Sequence, residues 1–377
     1  MYLKCNYFNQ ISKEIKKNNK KIVMFGVGVI GQIIAPQVVK DYGLLEYIDC
    51  YIDNDIKKWK NKVSICGKTV NIKSPEYLQE CSKNTVIMLN ISRFYEVLNQ
   101  LAQMECTSEM DCYIFSMLCV HNYCLQESIG EIKLSDKPLI PKKIHYMWLG
   151  KKMIPDSLKK CIESWKRYCP DYEIIEWNED NYDVSKHPYM EEAYEAGDYG
   201  FVPDYARLDI LYTHGGIYMD TDEELFRSLD TLLYQEAFCG VEKWQDISFG
   251  ACAGSVPGHP MVKKFLDARE SLHFINSDGS FNRNTCGFYD TPTALNNGYM
   301  INGKCQTIGG LNIYGYDYFV PYDYMTGVCN KTKNTYSVHW YSGGWLDDMT
   351  RRANRVTAEK YEKIYRKCLA GEKYEQK

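Results

Sequence analysis

No two of the sixteen cysteines in this 377-residue chain are spaced CxxC. Scattered this way they supply neither a zinc-site nor a thioredoxin-type pattern, and disulfide frameworks belong mainly to shorter secreted chains. No apolar run approaches the roughly 20 residues that span a bilayer, and nothing reads as a leading signal peptide. These absences predict reduced thiols and a cytoplasmic protein, peripheral at most to the inner face of the cell membrane. An excess of one charge is missing too: 45 Lys and Arg stand against 49 Asp and Glu, a net charge of -4, which leaves no basic footprint for nucleic acid. Internal repeats are also absent. What remains is ordinary globular composition, 45% hydrophobic and 25% charged, in a chain long enough for two domains. The 32 tyrosines suit a sugar-binding surface and ordinary half-exposed packing alike.

The most informative stretch runs from Val202 to Asp222. Tyr205, Leu208 and Leu211 repeat at helical spacing, with Pro203 at the entry and Gly215-Gly216 at the exit. Ile217-Tyr218-Met219 then reads as a short buried strand ending on Asp220-Thr221-Asp222. The carboxyl end of a strand in an open α/β sheet faces the ligand crevice. Residues one apart in an extended segment share a face, so both carboxylates can address one hard cation. Asp204 and Arg207, three apart on the helix, share a face as well. A calcium loop is excluded, because the sixth position counted from Asp220 is Leu225 rather than glycine.

Nearer the amino end, Lys13 to Lys21 reads as a polar lead-in, and Ile22 to Phe25 as a strand running into Gly26-Val27-Gly28-Val29-Ile30-Gly31. A helix with apolar Ile30, Ile33, Ile34 and Val38 follows, the strand-turn-helix context that a GxGxxG requires. A second strand ends at Asp53, where a dinucleotide fold places its ribose acid. Strands at Thr85 to Leu89 and Cys112 to Phe115, with a helix near Arg93 to Met104, complete a Rossmann-like domain. Its glycines fit either a nucleotide or anion at a helix amino terminus or close helix-strand packing.

Gln126 to Lys142 is polar, carries Pro138 and Pro141, and separates two α/β patterns. Beyond it, Lys143 to Trp148, Pro155 to Tyr168 and Tyr172 to Trp177 read as strand, helix and strand, a parallel unit. Phe238 to Val241 reads as a further buried strand, and a helix opens at Gly258-His259-Pro260. The tail carries Arg351, Arg352, Arg355, Lys360, Lys363 and Arg366 around Val356, Tyr361 and Ile364. That pattern suits a basic amphipathic helix packed on the catalytic domain, or touching an anionic membrane.

Two resemblances follow from these motifs. Phe25 to Gly31 with Ile52-Asp53-Asn54 resembles the small Rossmann-like domains attached to bacterial surface-polysaccharide enzymes. Pro141 to Gly150, Asp204 to Asp222, and His339-Trp340-Tyr341-Ser342-Gly343-Gly344-Trp345 resemble, in order and spacing, glycosyltransferase family 32, the sugar-binding DxD family of the capsular-polysaccharide type. More distantly, Asp204, Arg207, Tyr218, Asp220 and Asp222 resemble the catalytic domain of the large glucosylating toxins. The organisation this implies is α/β throughout: a Rossmann-like domain at 1–125, a linker at 126–140, a GT-A domain at 141–350 and a basic helix at 351–377.

The resemblance further implies a retaining transfer of a hexose from a nucleotide sugar, UDP-linked by preference, to a glycan or lipid-linked acceptor. The cofactor would be Mn²⁺ or Mg²⁺. Trp148 would stack on the base, Tyr218 lie at the nucleotide, Asp204 and Arg207 hold the donor sugar, Asp220 and Asp222 serve the metal, His339 add a metal or phosphate contact, and Trp345 reach the diphosphate. Gly26, Gly28 and Gly31 would cradle a separate nucleotide. Two positions depart from the family: Asp290-Thr291-Pro292 stands where Thr-Gly-Pro is common, and Gly344 where a serine is. An NAD-dependent oxidoreductase run by Gly26 to Asp53, and a nucleotide-sugar-binding protein without turnover, are the readings from other classes.

Overall fold

Ile22, Val23, Met24 and Phe25 are all buried, as a strand covered on both faces of its sheet requires. They lie in the first of two units of the computed structural model, which describes residues 1–343 and 348–375. That unit comprises Met1–Gln126, Met325–Gly327 and Asp347–Lys377; the second comprises Glu127–Tyr324 and Val328–Leu346.

The first unit is a seven-stranded sheet of β1 (Tyr2–Lys4), β2 (Lys21–Phe25), β3 (Ile48–Ile52), β4 (Lys62–Ile65), β5 (Lys68–Lys73), β6 (Thr85–Leu89) and β7 (Asp111–Ile114). Their order is β1-β7-β6-β2-β3-β5-β4, parallel except for the β4–β5 hairpin. Four helices join them: α1 (Phe8–Asn18), α2 (Ala35–Asp41), α3 (Phe94–Gln103) and α4 (Phe115–Cys119). The expected polar lead-in is therefore part of a helix. Phe8, Ile11, Ser12 and Ile15 form its buried stripe, and the lysines occupy the other face.

The glycine turn has a local use at each end. A Cβ on Gly31 would lie 2.0 Å from the Gly26 carbonyl oxygen, and one on Gly26, whose φ is +99°, would lie 2.6 Å from Cγ1 of Ile91. The Asp53 carboxylate accepts the Val27 N–H at 3.0 Å and the Asp55 N–H at 2.9 Å, and pairs with Lys58 at 3.2 Å. Close packing at the outer two glycines is also what a dinucleotide turn uses them for, and a Cβ on Gly28 between them would meet nothing within 4 Å. Ile91 lies against the first glycine, the last makes room for the backbone, and Asp53 braces its own loop.

The C-terminal helix, Asp348–Ala370, completes this unit and buries Thr357, Tyr361, Ile364 and Cys368. The Cys5 N–H donates to Cys368 O at 2.9 Å, Leu3 to Glu372 at 3.0 Å, and Tyr374 to Met1 at 2.9 Å. Its apolar face is thus covered within this unit, and Arg351, Arg352, Arg355, Lys360, Lys363 and Arg366 all lie on its exposed face.

The second unit starts with a segment that is not a free linker. Its backbone donates from Ser128 to Asp317 Oδ1 at 3.2 Å, from Lys133 to Asn312 Oδ1 at 3.1 Å and from Leu139 to Leu233 O at 2.7 Å. Next come β8 (Lys143–Met147), α5 (Asp156–Tyr168), β9 (Glu173–Trp177), α6 (Pro188–Glu195), α7 (Pro203–His214), β10 (Gly216–Met219) and β11 (Glu223–Leu225). After them lie β12 (Ala237–Val241), β13 (Ile247–Ser248), β14 (Cys252–Ser255), α8 (Pro260–Asp267) and α9 (Cys286–Asn296). The last strands are β15 (Gln306–Ile308), β16 (Leu311–Tyr314), β17 (Tyr322–Asp323), β18 (Val328–Cys329) and β19 (Ser337–His339). The main sheet runs β15-β16-β12-β14-β10-β8-β9, with β13 paired to β12; β11–β19 and β17–β18 are separate ribbons.

In that sheet β10 pairs in parallel with β8 and antiparallel with β14, and this mixed α/β architecture fits the expected GT-A class. His145 ties the middle together: Trp177 Nε1 donates to its Nδ1 at 3.1 Å, which leaves Nε2 to donate to Gly215 O at 2.9 Å. Burial lowers its pKa to about 4, so the brace works as a neutral imidazole.

Gly31→Ala is expected to destabilise the protein by about 1–3 kcal/mol, the cost of forcing a methyl into a filled space. Gly28→Ala, whose Cβ would meet nothing within 4 Å, is expected to stay within about 0.5 kcal/mol of wild type. Denaturant midpoints compare the two; equal effects would contradict the packing role given to Gly31.

Candidate active site

Asp204 and Arg207 sit in the first turns of α7, and Asp220 and Asp222 just past the end of β10. Arg207 brings these elements together. Its Nη2 lies 3.2 Å from Asp204 Oδ1 and 3.4 Å from Asp220 Oδ1, and its Nε donates to Pro203 O at 3.0 Å. The guanidinium stands over the Tyr218 ring, 5.6 Å from its centroid. Arg207 and Asp204 are buried, whereas the Asp220 side chain keeps 26% of its surface.

Burial opposes charge on all three groups, and their mutual attraction offsets it. The Asp204 carboxyl is lifted by burial to about 6 despite the pull of Arg207, and Asp220 is raised for the same reasons. Arg207 is held well above its usual value because Asp220 and Asp204 outweigh its desolvation. A buried pair of this kind is weak evidence for stability, but removing one partner strands the other, typically at about 3–5 kcal/mol.

Asp222 has separate partners. Its Oδ1 accepts His339 Nε2 at 3.1 Å, and its Oδ2 accepts the Ser342 N–H at 2.7 Å. These outweigh burial and hold the carboxyl far below the ordinary carboxylate range. On the other side burial lowers His339, but Asp222 pushes it up to about 10. In this arrangement His339 is the ion-pair partner of Asp222, at 3.1 Å. Among the described residues no group of three or more His, Cys, Asp or Glu side chains is gathered for a metal. The protein's own contribution is two carboxylates, a donor set that fits a hard cation completed by ligand oxygens.

The DxD turn is held from several sides. Gly250 O accepts the Asp220 N–H at 3.0 Å, and the Glu223 N–H closes a turn onto Asp220 O at 3.0 Å. Trp165 Nε1 on α5 donates to Glu223 O at 2.7 Å, and Ser164 Oγ accepts the Leu225 N–H at 2.9 Å. Ser342 lies in the His339 to Trp345 motif, whereas Gly250, Ser164 and Trp165 lie in none that spacing singles out, because each engages a backbone group of the turn. Nearby, Asp290 holds the fully buried Arg269 at 2.7 Å, and Thr291 Oγ1 accepts the Ile247 N–H at 3.0 Å. The departure at Asp290-Thr291 thus has an internal structural use.

The other expected residues are placed as follows. Trp148 follows β8 at the same sheet edge as Asp220, half-buried, with its Nε1 donating to Lys152 O at 2.6 Å. Tyr218 is buried beneath Arg207, so its ring serves the guanidinium rather than an open stacking face. Trp345 and Gly344 lie outside the described residues.

Residues 155–239 match the family model described as glycosyltransferase sugar-binding region containing DXD motif. Inositol phosphoceramide mannosyltransferase 2 of Schizosaccharomyces pombe is 31% identical over 149 residues, covering 38% of this chain and 42% of that protein. Mannosyl phosphorylinositol ceramide synthase SUR1 of Saccharomyces cerevisiae is 30% identical over 173 residues, 42% of this chain and 43% of that protein. Among solved structures, PaToxG Glycosyltransferase is 18% identical with a TM-score of 0.30, over 41% of this chain and 65% of that one. The chain spans less than half the length of these two yeast relatives. The second unit therefore carries a DXD-type sugar-binding region, and its relatives are glycosyltransferases.

These relatives overturn the cytoplasmic placement expected from the sequence, because they are named for ceramide lipids, which reside in membranes. That no helix among the described residues is long and apolar enough to cross a membrane is a separate fact.

A methyl on Gly250 would sit 2.4 Å from Arg207 Nη1 and 2.6 Å from Asp220 Oδ2. Gly250→Ala is expected to push this pair apart and lower stability by about 1–3 kcal/mol, read from thermal or denaturant unfolding. An unchanged midpoint would mean that the pair does not depend on this gap.

Proposed function

We propose that the chain is a metal-dependent glycosyltransferase that moves a hexose from a nucleotide sugar to a lipid-linked or glycan acceptor. The observation that carries this reading is the Asp204–Arg207–Asp220 ion triad at the strand tip, with Asp222 beside it, inside the segment that matches the DXD family. In this reading Asp204 and Arg207 orient the donor sugar, Trp148 offers an aromatic face to the base, and Asp220 and Asp222 address the diphosphate. The relatives' names favour mannose among the hexoses and a ceramide-linked acceptor over a capsular one. UDP remains the base preferred on the toxin resemblance.

Asp220 and Asp222 would hold a Mn²⁺ or Mg²⁺ ion, which acts as a Lewis acid towards the departing diphosphate. The protein residues prepare for that charge. Arg207, a planar fork of donors that stays charged, stands beside Asp220 and can reach sugar hydroxyls or phosphate. His339 and the Ser342 N–H take one lone pair from each Asp222 oxygen and leave the others available. Buried donors fixed before the reaction are worth more than the same groups in water. No side chain is assigned as catalytic base, because in a front-face transfer with retention the leaving phosphate oxygen accepts the acceptor's proton. The triad supports binding as well as turnover, so a nucleotide-sugar-binding protein remains an outcome of the test.

Donor hydrolysis measured over a panel of UDP- and GDP-sugars, with and without Mn²⁺, tests the reading. Activity is expected only with metal, and Asp222→Ala is expected to lose at least 100-fold in kcat/KM, roughly 2.7 kcal/mol of transition-state stabilisation. Full turnover in that variant would sink the mechanism, and binding without turnover against every donor would favour the binding protein.

Because Asp204 takes up its proton near pH 6, donor KM is expected to rise as pH falls through that value, where the sugar-holding carboxylate is neutralised. Asp204→Asn should remove the inflection along with the affinity. A donor KM flat between pH 5 and 8 would separate Asp204 from the sugar.

A further inference from the structure

Under the DxD turn lies a group of polar atoms that the donor site leaves unused. Glu223 follows Asp222 directly, is 0% exposed, and neither of its side-chain oxygens completes a hydrogen bond. It stands opposite His339 in the β11–β19 ladder, a pairing that sends both side chains to one face with Cβ atoms about 4.5–5.5 Å apart. Nδ1 of His339 is also buried without a partner, and the Ser337 hydroxyl, two residues earlier on the same strand, lies beside the Glu223 carboxyl. His339 Nε2 is the nitrogen engaged by Asp222.

Burying a carboxyl and a ring nitrogen with no partner is strongly unfavourable, and an apolar side chain at this depth would avoid the cost. The backbone allows Glu223 little escape. Its carbonyl is fixed by Trp165 and its N–H by Asp220, so the side chain cannot swing out unless the DxD turn moves. His339 thus holds Asp222 through Nε2 while standing opposite Glu223 across the ladder.

We propose that Glu223 is a positioning residue that acts on the donor site through His339, fixing the imidazole from beneath so that its Nε2–H stays on Asp222 Oδ1. Asp222 is thereby presented to the cation and diphosphate in one orientation. This inference rests on the assignment of Asp220 and Asp222 to the donor diphosphate. Glu223 touches neither substrate nor metal, and its effect falls on affinity more than on the chemical step. Partners that orient a ligating side chain typically alter metal affinity 10- to 100-fold.

A double-mutant cycle of Glu223→Gln and His339→Gln tests it, scored on the Mn²⁺ concentration for half-maximal donor hydrolysis, donor KM and kcat. Glu223→Gln is expected to raise Mn²⁺ half-saturation and donor KM about tenfold with a smaller change in kcat. In the His339→Gln background the same substitution should add less than about twofold, because coupled residues are not additive. An unchanged Mn²⁺ dependence in Glu223→Gln, or an equal penalty in both backgrounds, would overturn the proposal. Should Glu223→Gln not accumulate as folded protein, Glu223→Met enters the cycle in its place, since it leaves no polar atom unpaired at that position. Asp222→Ala run alongside separates the two readings. Full turnover there removes the diphosphate assignment itself, whereas lost turnover beside a normal Glu223→Gln defeats only the role given to Glu223.

Discussion

One guanidinium organises the second unit. Arg207 lies between a carboxylate on its own helix and a carboxylate at the tip of the following strand. Neither acid would remain ionised at that depth alone, since burial lifts both. The cation in turn would be prohibitively desolvated without them. Helix α7, the turn after it and strand β10 are thus locked by a balance of charge as well as by apolar packing. The surroundings follow from that balance: a glycine at 250 leaves room for the pair, and the ring of Tyr218 supports the guanidinium from one side.

Much of this arrangement is legible in the sequence because it is local. Asp204 and Arg207 are one helical turn apart, and Asp220 and Asp222 are alternate residues at a strand end, so spacing alone puts each pair on one face. The buried strands Ile22 to Phe25, Thr85 to Leu89 and Phe238 to Val241 announce themselves as continuous apolar runs. The stripe Phe8, Ile11, Ser12, Ile15 was equally present, but a run of lysines on the other face disguises it as a polar lead-in.

What spacing cannot supply is the partner of a residue far along the chain. The type and order of His339 suggest a metal or phosphate contact, but not the ladder that places it 3.1 Å from a carboxylate 117 residues earlier. The GxGxxG turn is harder still, because glycines admit a ligand or another part of the protein with the same sequence signature. Here Ile91 and the Gly26 carbonyl crowd the outer glycines while the space beside Gly28 stays open. The C-terminal helix shows the same limit: its apolar face was readable, but not which unit would cover it.

Within the first unit the Cys5 N–H donates to Cys368 O and the Tyr374 N–H to Met1 O. Strand β1 therefore gains its covering helix only once residues beyond 348 have been made, after the whole second unit. During synthesis the chain emerges amino end first, and domains tend to fold as they appear. The described strands of the second unit are made before the helix that covers β1. A premature stop after residue 343 would thus remove no described part of the catalytic face, yet would leave the apolar surface beside β1 uncovered and the product open to aggregation.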